Sequence, residues 1–207
     1  ARLTRTREET AALGIPVGIL ATVEATRRAS REELAESARP RLDEMLAHGT
    51  TTAESKSGYG LSTAEEIKLL EVNRWLDSDH PVDLVSTFMG AHDVSPGMDR
   101  ESYLDEVVTE QIPEVARHRL ARFCDVFCDD GWFTPPDAER VLEAGISAGM
   151  SPKIHAEQYA RTGGARVAAQ SRCGISIAAR LAGRAAQRSS QSVTAGKSEM
   201  PSASPAS

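Results

Sequence analysis

The chain has 207 residues, 40% of them hydrophobic and 26% charged, the composition of a globular domain with one sizeable core. Its 24 Lys+Arg against 30 Asp+Glu leave a net charge of -6, which argues against nucleic acid as a partner, because such binders carry a basic patch. No apolar run approaches the roughly 20 residues that cross a bilayer, so a membrane role is set aside as well.

The opening stretch "ARLTRTREET" has no apolar segment behind its arginines and does not read as a signal peptide. It also lacks a starting methionine, as expected of a chain that begins inside a longer protein. The first clear element is "RASREELAESARPRLDEMLAHG". Ser30 and Glu33 make a capping box, and Leu34, Ala38, Leu42, Met45 and Leu46 form an apolar stripe at helical spacing. Gly49 stands where a helix ends, and Pro40 is expected to kink or split the helix. "TTTAES" reads as a strand, "KSGYG" as a loop and "AEEIKLLEVNRWL" as a helix opened by Ser62 with Glu65 or by Thr63 with Glu66.

"VDLVSTFMGAH" is the next strand, followed by a helix over 100–120 that Pro113 interrupts. "FCDVFC" is a third strand. Thr134 then caps a helix with Pro135 at its first position and Val141, Leu142, Ala144 and Ile146 inside it. "SPKIHAEQ" holds a short strand, and "GGARVAAQ" begins another helix. From Ser171 onward the composition turns to Ser, Ala and Arg with no aromatic residue. Residues 171–207 therefore read as a divergent tail, disordered over 190–207 and at best a loose helix over 171–189.

Regular alternation of helix and strand with short links predicts right-handed βαβ units and a parallel α/β sheet. Four such units fit either a doubly wound sheet or half of a (β/α)8 barrel. Neither a dinucleotide fingerprint nor a P-loop is present in the sequence. In parallel α/β folds chemistry sits at the carboxyl ends of strands. Here those ends read "ESKSGY", "GAHD", "CDD" and "KIHAEQ", so each delivers a histidine, carboxylate, tyrosine or lysine to one rim.

Each residue also has a plainer reading. His92 and His155 at strand ends can be structural histidines. His48 lies in the last turn of a helix, where an imidazolium suits the dipole. His80 and His118 read as surface positions. Glu54 and Lys56 are either a cross-strand ion pair or part of the site. Tyr59, between two glycines, has little packing reason to be there. Cys124 and Cys128 stand four residues apart on a strand, about 13 Å, which is too far for one zinc ion. They read as buried core thiols, and three cysteines without a secretion signal fit a reduced, cytoplasmic protein.

The segments "HGTTTAESKSGYGL", "TFMGAHDVSP", "FCDVFCDDGWF" and "PKIHAEQ", with "GILATVEATRRAS" and "ARPRLDEMLAHGTTT" upstream, resemble imidazolonepropionases, the histidine-degradation enzymes of the amidohydrolase superfamily. The resemblance runs from about Glu8 to Ala169. It implies that residues 1–170 are part of a metal-dependent (β/α)8 barrel of TIM type, which in the family stands beside a small β-sandwich. It implies hydrolysis of the ring C–N bond of 4-imidazolone-5-propanoate to N-formimidoyl-glutamate with zinc or iron. On this resemblance His155 is a metal histidine, His92 and Gln158 are catalytic, and Tyr59, His92 and Gln158 contact the substrate.

The same resemblance puts the family's His-x-His metal pair and a carboxylate-gripping arginine before Ala1, and its metal aspartate well past residue 170. The portion present is therefore expected to be inactive by itself. Two other readings stay open: a non-catalytic α/β remnant that binds a small acid or a partner chain, or another cyclic amidohydrolase. The small-molecule substrate is the expected partner, with room for a homo-oligomer.

Overall fold

The computed structural model describes residues 19–171 and 174–177. Helix α1 (Leu20–Arg28) leads into α2 (Arg31–Ala47), whose start is a complete capping box between Ser30 and Glu33. α2 runs unbroken through Pro40, so the expected split does not occur. Pro40 is exposed, where water can satisfy the carbonyl that loses its donor. The chain then alternates: β1 (Thr52–Lys56), α3 (Thr63–Asp79), β2 (Asp83–Ala91), α4 (Arg100–Glu106), a π-helical turn (Val107–Gln111), α5 (Ile112–His118), β3 (Phe123–Cys128), α6 (Pro135–Ser147), β4 (Ser151–Ala156) and α7 (Gly164–Gln170). The expected break near Pro113 is this π turn, and Pro113 itself sits at the start of α5, where a missing N–H is tolerated.

A fifth strand, β5 (Gly174–Ile177), pairs with β4. It falls where a loose helix was expected. An uncovered β4 edge exposes a row of backbone donors and acceptors, and "GISI" is a short run with β-branched residues that can take them up. Residues 190–207, read as disordered, lie outside the described residues.

All neighbouring strands are parallel, in the order β1-β2-β3-β4-β5. A doubly wound sheet reverses its order at a switch point, whereas this one advances one strand at a time. Continuous parallel βα advance is the pattern of a barrel, so the described residues form a partial TIM-type barrel.

Strand residues alternate between two environments. Phe88, Cys124, Val126, Cys128 and Ile154 join Leu70, Val107, Ile112, Val115, Val141, Leu142 and Val167 of the helices in one buried core. Cys124 and Cys128 are both free thiols buried there, and burial pushes the Cys128 thiol up to about 11. A smaller cluster of Ala35, Leu42, Val72, Leu76, Val82 and Leu84 seats α2 against α3 and the start of β2. The opposite parity carries polar groups and is described below.

Two surface readings change. His80 keeps only 5% of its side chain exposed; its Nε2 meets Asp43 at 3.1 Å and its Nδ1 accepts from Val82 N–H at 3.0 Å. His118 stays exposed. His48 closes α2 with Nδ1 2.8 Å from the Glu44 carbonyl, the helix-end role read from sequence. Among the described residues no helix is long and apolar enough to cross a membrane.

Candidate active site

A cavity of about 240 Å³ opens at the carboxyl ends of β1 to β4. Small-ligand sites usually measure roughly 300–1,000 Å³, so this one suits a molecule of amino-acid size. Tyr59, His92, His155 and Gln158 all line it, together with Lys56, Phe127, Trp132 and Tyr159. Three strand ends, those of β1, β2 and β4, thus bring the four residues singled out from sequence to one place, and Phe127 of β3 lines it beside them.

Tyr59 arrives on a loop held from both sides. The buried Glu66 carboxylate accepts the backbone N–H groups of Gly58 at 2.7 Å, Gly60 at 2.8 Å and Leu61 at 2.9 Å. From the other side the Arg27 guanidinium donates to the carbonyls of Gly60 at 2.6 Å and Leu61 at 2.9 Å, and to Ser95 Oγ at 3.0 Å. Gly58 has φ +92°, a left-handed conformation that glycine adopts at little cost. The result is Tyr59 edge-on to the His92 ring, with centroids 5.1 Å apart. Neither capping box expected at this helix start forms: Ser62 is the N-cap residue but makes no side-chain cap bond, and Thr63 donates from N and Oγ1 to Glu106 at 3.0 Å.

His92 follows the end of β2, where the β2–β3 register shifts between Phe88 and Ala91. Gly90 lies in that shift. A Cβ there would sit 2.3 Å from Gln111 Oε1 and 2.5 Å from the Phe88 ring, so only glycine fits. Tyr103 Oη donates to the Gly90 carbonyl at 2.9 Å and holds the strand end from below. His92 Nδ1 lies 2.9 Å from the Gly58 carbonyl. A carbonyl only accepts, so Nδ1 carries the proton and Nε2 keeps its lone pair. Burial lowers the His92 pKa below its usual value; the hydrogen bond to Gly58 opposes this, and nearby His155 adds to it. His92 is therefore a neutral base whose Nε2 accepts before it can donate.

His155, on β4, has Nδ1 3.0 Å from Asp125 Oδ1 on β3. A carboxylate is acceptor-only, so Nδ1–H donates and Nε2 keeps its lone pair, unused by this bond. Lys56 Nζ donates to the other Asp125 oxygen at 3.0 Å. Burial pushes the Asp125 carboxyl up, but His155 and Lys56 outweigh it and hold it below the usual carboxylate range. Glu54 completes the network by accepting from Lys56 at 2.5 Å, Lys153 at 2.7 Å and Thr87 Oγ1 at 2.5 Å. Glu54 and Lys56 do pair, but along β1 and not across strands; their cross-strand ion pairs are Lys56–Asp125 and Lys153–Glu54, and Lys56 also lines the cavity.

Sequence reasoning placed Lys153 and Asp129 only as members of the strand ends "KIHAEQ" and "CDD", and it missed Asp125, Trp132 and Tyr159. Period-two parity was the available signal, since 54 and 56, 125 and 127, and 153 and 155 share the face that carries the chemistry. Asp129 of "CDD" does not line the cavity. It is buried and accepts the N–H groups of Tyr159 at 2.7 Å and Ala160 at 3.0 Å. Among the described residues no group of three His, Cys, Asp or Glu is placed to hold a metal ion.

No known family profile matches the chain. Among curated proteins, the imidazolonepropionase of Geobacillus kaustophilus is 54% identical over 155 residues, covering 74% of this chain and 37% of its own length. The imidazolonepropionase of Haloarcula marismortui is 53% identical over 152 residues, covering 73% of this chain and 36% of its own. An adenine deaminase from Arthrobacter aurescens overlays with TM-score 0.46 at 15% identity, over 73% of this chain and 48% of that one. The chain spans a little over a third of the length of the curated relatives it matches. With half of its matched residues identical to those of curated imidazolonepropionases over about three quarters of its length, the chain is consistent with a fragment of the imidazolonepropionase family.

Proposed function

We propose that this chain is the substrate-facing portion of an enzyme that hydrolyses the ring C–N bond of 4-imidazolone-5-propanoate to N-formimidoyl-glutamate. The observation that carries the reading is the meeting of Tyr59, His92, His155 and Gln158 on one cavity of suitable size. Tyr59 Oη and the Gln158 amide would bind and orient the ring and its carboxylate. His92 Nε2 would take a proton from the attacking water and return it to the departing ring nitrogen, which makes it the general base and then the general acid.

His155 presents one bare nitrogen, braced by Asp125 as metal-binding histidines are. A catalytic zinc normally takes three protein ligands. The described residues therefore do not form a zinc or iron site on their own, and His155 is the donor they would add to one. The buried free thiols fit a reducing compartment, the cytoplasm.

Exchanging the matching 155 residues of the Geobacillus kaustophilus enzyme for those of this chain tests the reading. The exchanged enzyme should consume imidazolonepropanoate and lose that ability in His92→Ala. A folded exchange that never turns the substrate over would sink the proposal.

A further inference from the structure

The cavity has a side that the proposed chemistry does not use. Trp132, from the β3–α6 loop, stacks on Tyr159, from the β4–α7 loop, with centroids 5.5 Å apart and planes 22° from parallel. Phe127 backs the pair, 4.7 Å from Trp132 and 6.3 Å from Tyr159. All three line the cavity, and Tyr159 is 60% exposed. A large aromatic left this open at a cavity mouth gains little from burial, so packing alone does not account for it.

The wall is also held in place at a cost. Glu157 has φ +54°, a left-handed conformation that non-glycine residues rarely adopt. The buried Asp129 carboxylate fastens the next turn by accepting from Tyr159 and Ala160, which ties the β4–α7 loop to the β3–α6 loop. This clamp turns Gln158 and Tyr159 toward the cavity together.

We propose that Trp132 and Tyr159 form a stacking subsite that selects ligands with a flat, unsaturated ring. The subsite stands on this geometry; only the identity of the ring, an imidazolone, rests on the function proposed above. Offset stacking on an aromatic face contributes roughly 0.5–1.5 kcal/mol, which is roughly two- to tenfold in affinity.

The chain has two tryptophans, so Trp75→Phe, at an exposed position of α3, leaves Trp132 as the reporter. The probe is 3-(imidazol-4-yl)propanoate, with 3-phenylpropanoate and the non-planar 3-cyclohexylpropanoate as comparisons. The expected result is saturable quenching of Trp132 by the imidazole acid and none by the cyclohexyl acid. Ligand-observed NMR should show a two- to tenfold loss of affinity in Trp132→Leu, and the same in Tyr159→Leu, whose exposed position spares the fold. Equal affinity of either variant and the parent, or equal binding of the cyclohexyl acid, overturns the subsite. Equal binding of the phenyl and imidazole acids upholds the subsite and overturns the imidazolone assignment. Binding of neither planar acid overturns both.

Discussion

Glu66 shows how one buried charge can shape a site it never touches. Its carboxylate satisfies three backbone N–H groups of the Tyr59 loop, all of which lose this partner if it is removed. Each buried donor left unpaired costs about 1–3 kcal/mol, so Glu66→Ala should destabilise the chain by at least about 3 kcal/mol. Urea unfolding measures this, and a loss under about 1 kcal/mol would contradict the assigned role. His92 makes a second prediction at this scale. Because burial lowers its folded pKa, the folded state binds fewer protons than the unfolded one just below the unfolded value near 6.5. The stability tied to His92 is thus complete above that value and is lost as pH falls through it toward the folded pKa. NMR titration should place the His92 midpoint below 6.5, and a midpoint above it would contradict the buried, neutral ring.

At the scale of elements, the inward parity of β1 to β4 forms a mixed-charge ladder rather than an apolar barrel interior. Burial pushes the Glu54 carboxyl up, yet hydrogen bonds from Lys153, Lys56 and Thr87 outweigh it and bring it down to about 2. A carboxylate whose folded pKa is depressed contributes stability above its unfolded value near 4.5, and that contribution is lost as pH falls toward 2. Glu54→Gln should therefore flatten the loss of stability between those two pH values, as read from thermal midpoints across acid buffers. An unchanged acid slope would show that the ladder contributes nothing there. The end of β2 makes a steric prediction. Gly90→Ala sets a methyl 2.3 Å from Gln111 Oε1 and 2.5 Å from the Phe88 ring, which forces either side chain or strand to move. Overpacking of this kind costs roughly 1–3 kcal/mol, and it should also shift the NMR signals of His92, two residues on. Loss of stability without movement at His92 would show that the register shift does not position it.

For the whole molecule, the partial barrel predicts where function stops. Among the described residues His155 has no companion metal ligands, and the chain spans 37% of the length of its Geobacillus kaustophilus relative. The 207-residue chain alone should show no measurable hydrolysis of imidazolonepropanoate at any zinc concentration. Turnover at an ordinary enzymatic rate, of order 1–10³ s⁻¹, would overturn the account of His155 as one ligand of several.

Local signals determined a great deal. Capping boxes at Ser30 and Thr134, runs such as "FCDVFC" and the rhythm of helix and strand announced the elements, because each rests on interactions a few residues apart. The polar strand ends pointed to Tyr59, His92 and His155, since parallel strands with short links must present those ends together, and the family resemblance added Gln158. The alternation of helix and strand left a barrel and a doubly wound sheet both open, the family resemblance implied the barrel, and the strand order bears it out, because that order is a matter of pairing between distant segments. Only tertiary structure chose the partners of Glu66, Asp125 and Asp129. A buried carboxylate takes whichever donors the fold brings within reach. Those donors stand five to eight residues away for Glu66 and 30 or 31 for His155, Tyr159 and Ala160, distances in sequence over which no periodicity reports.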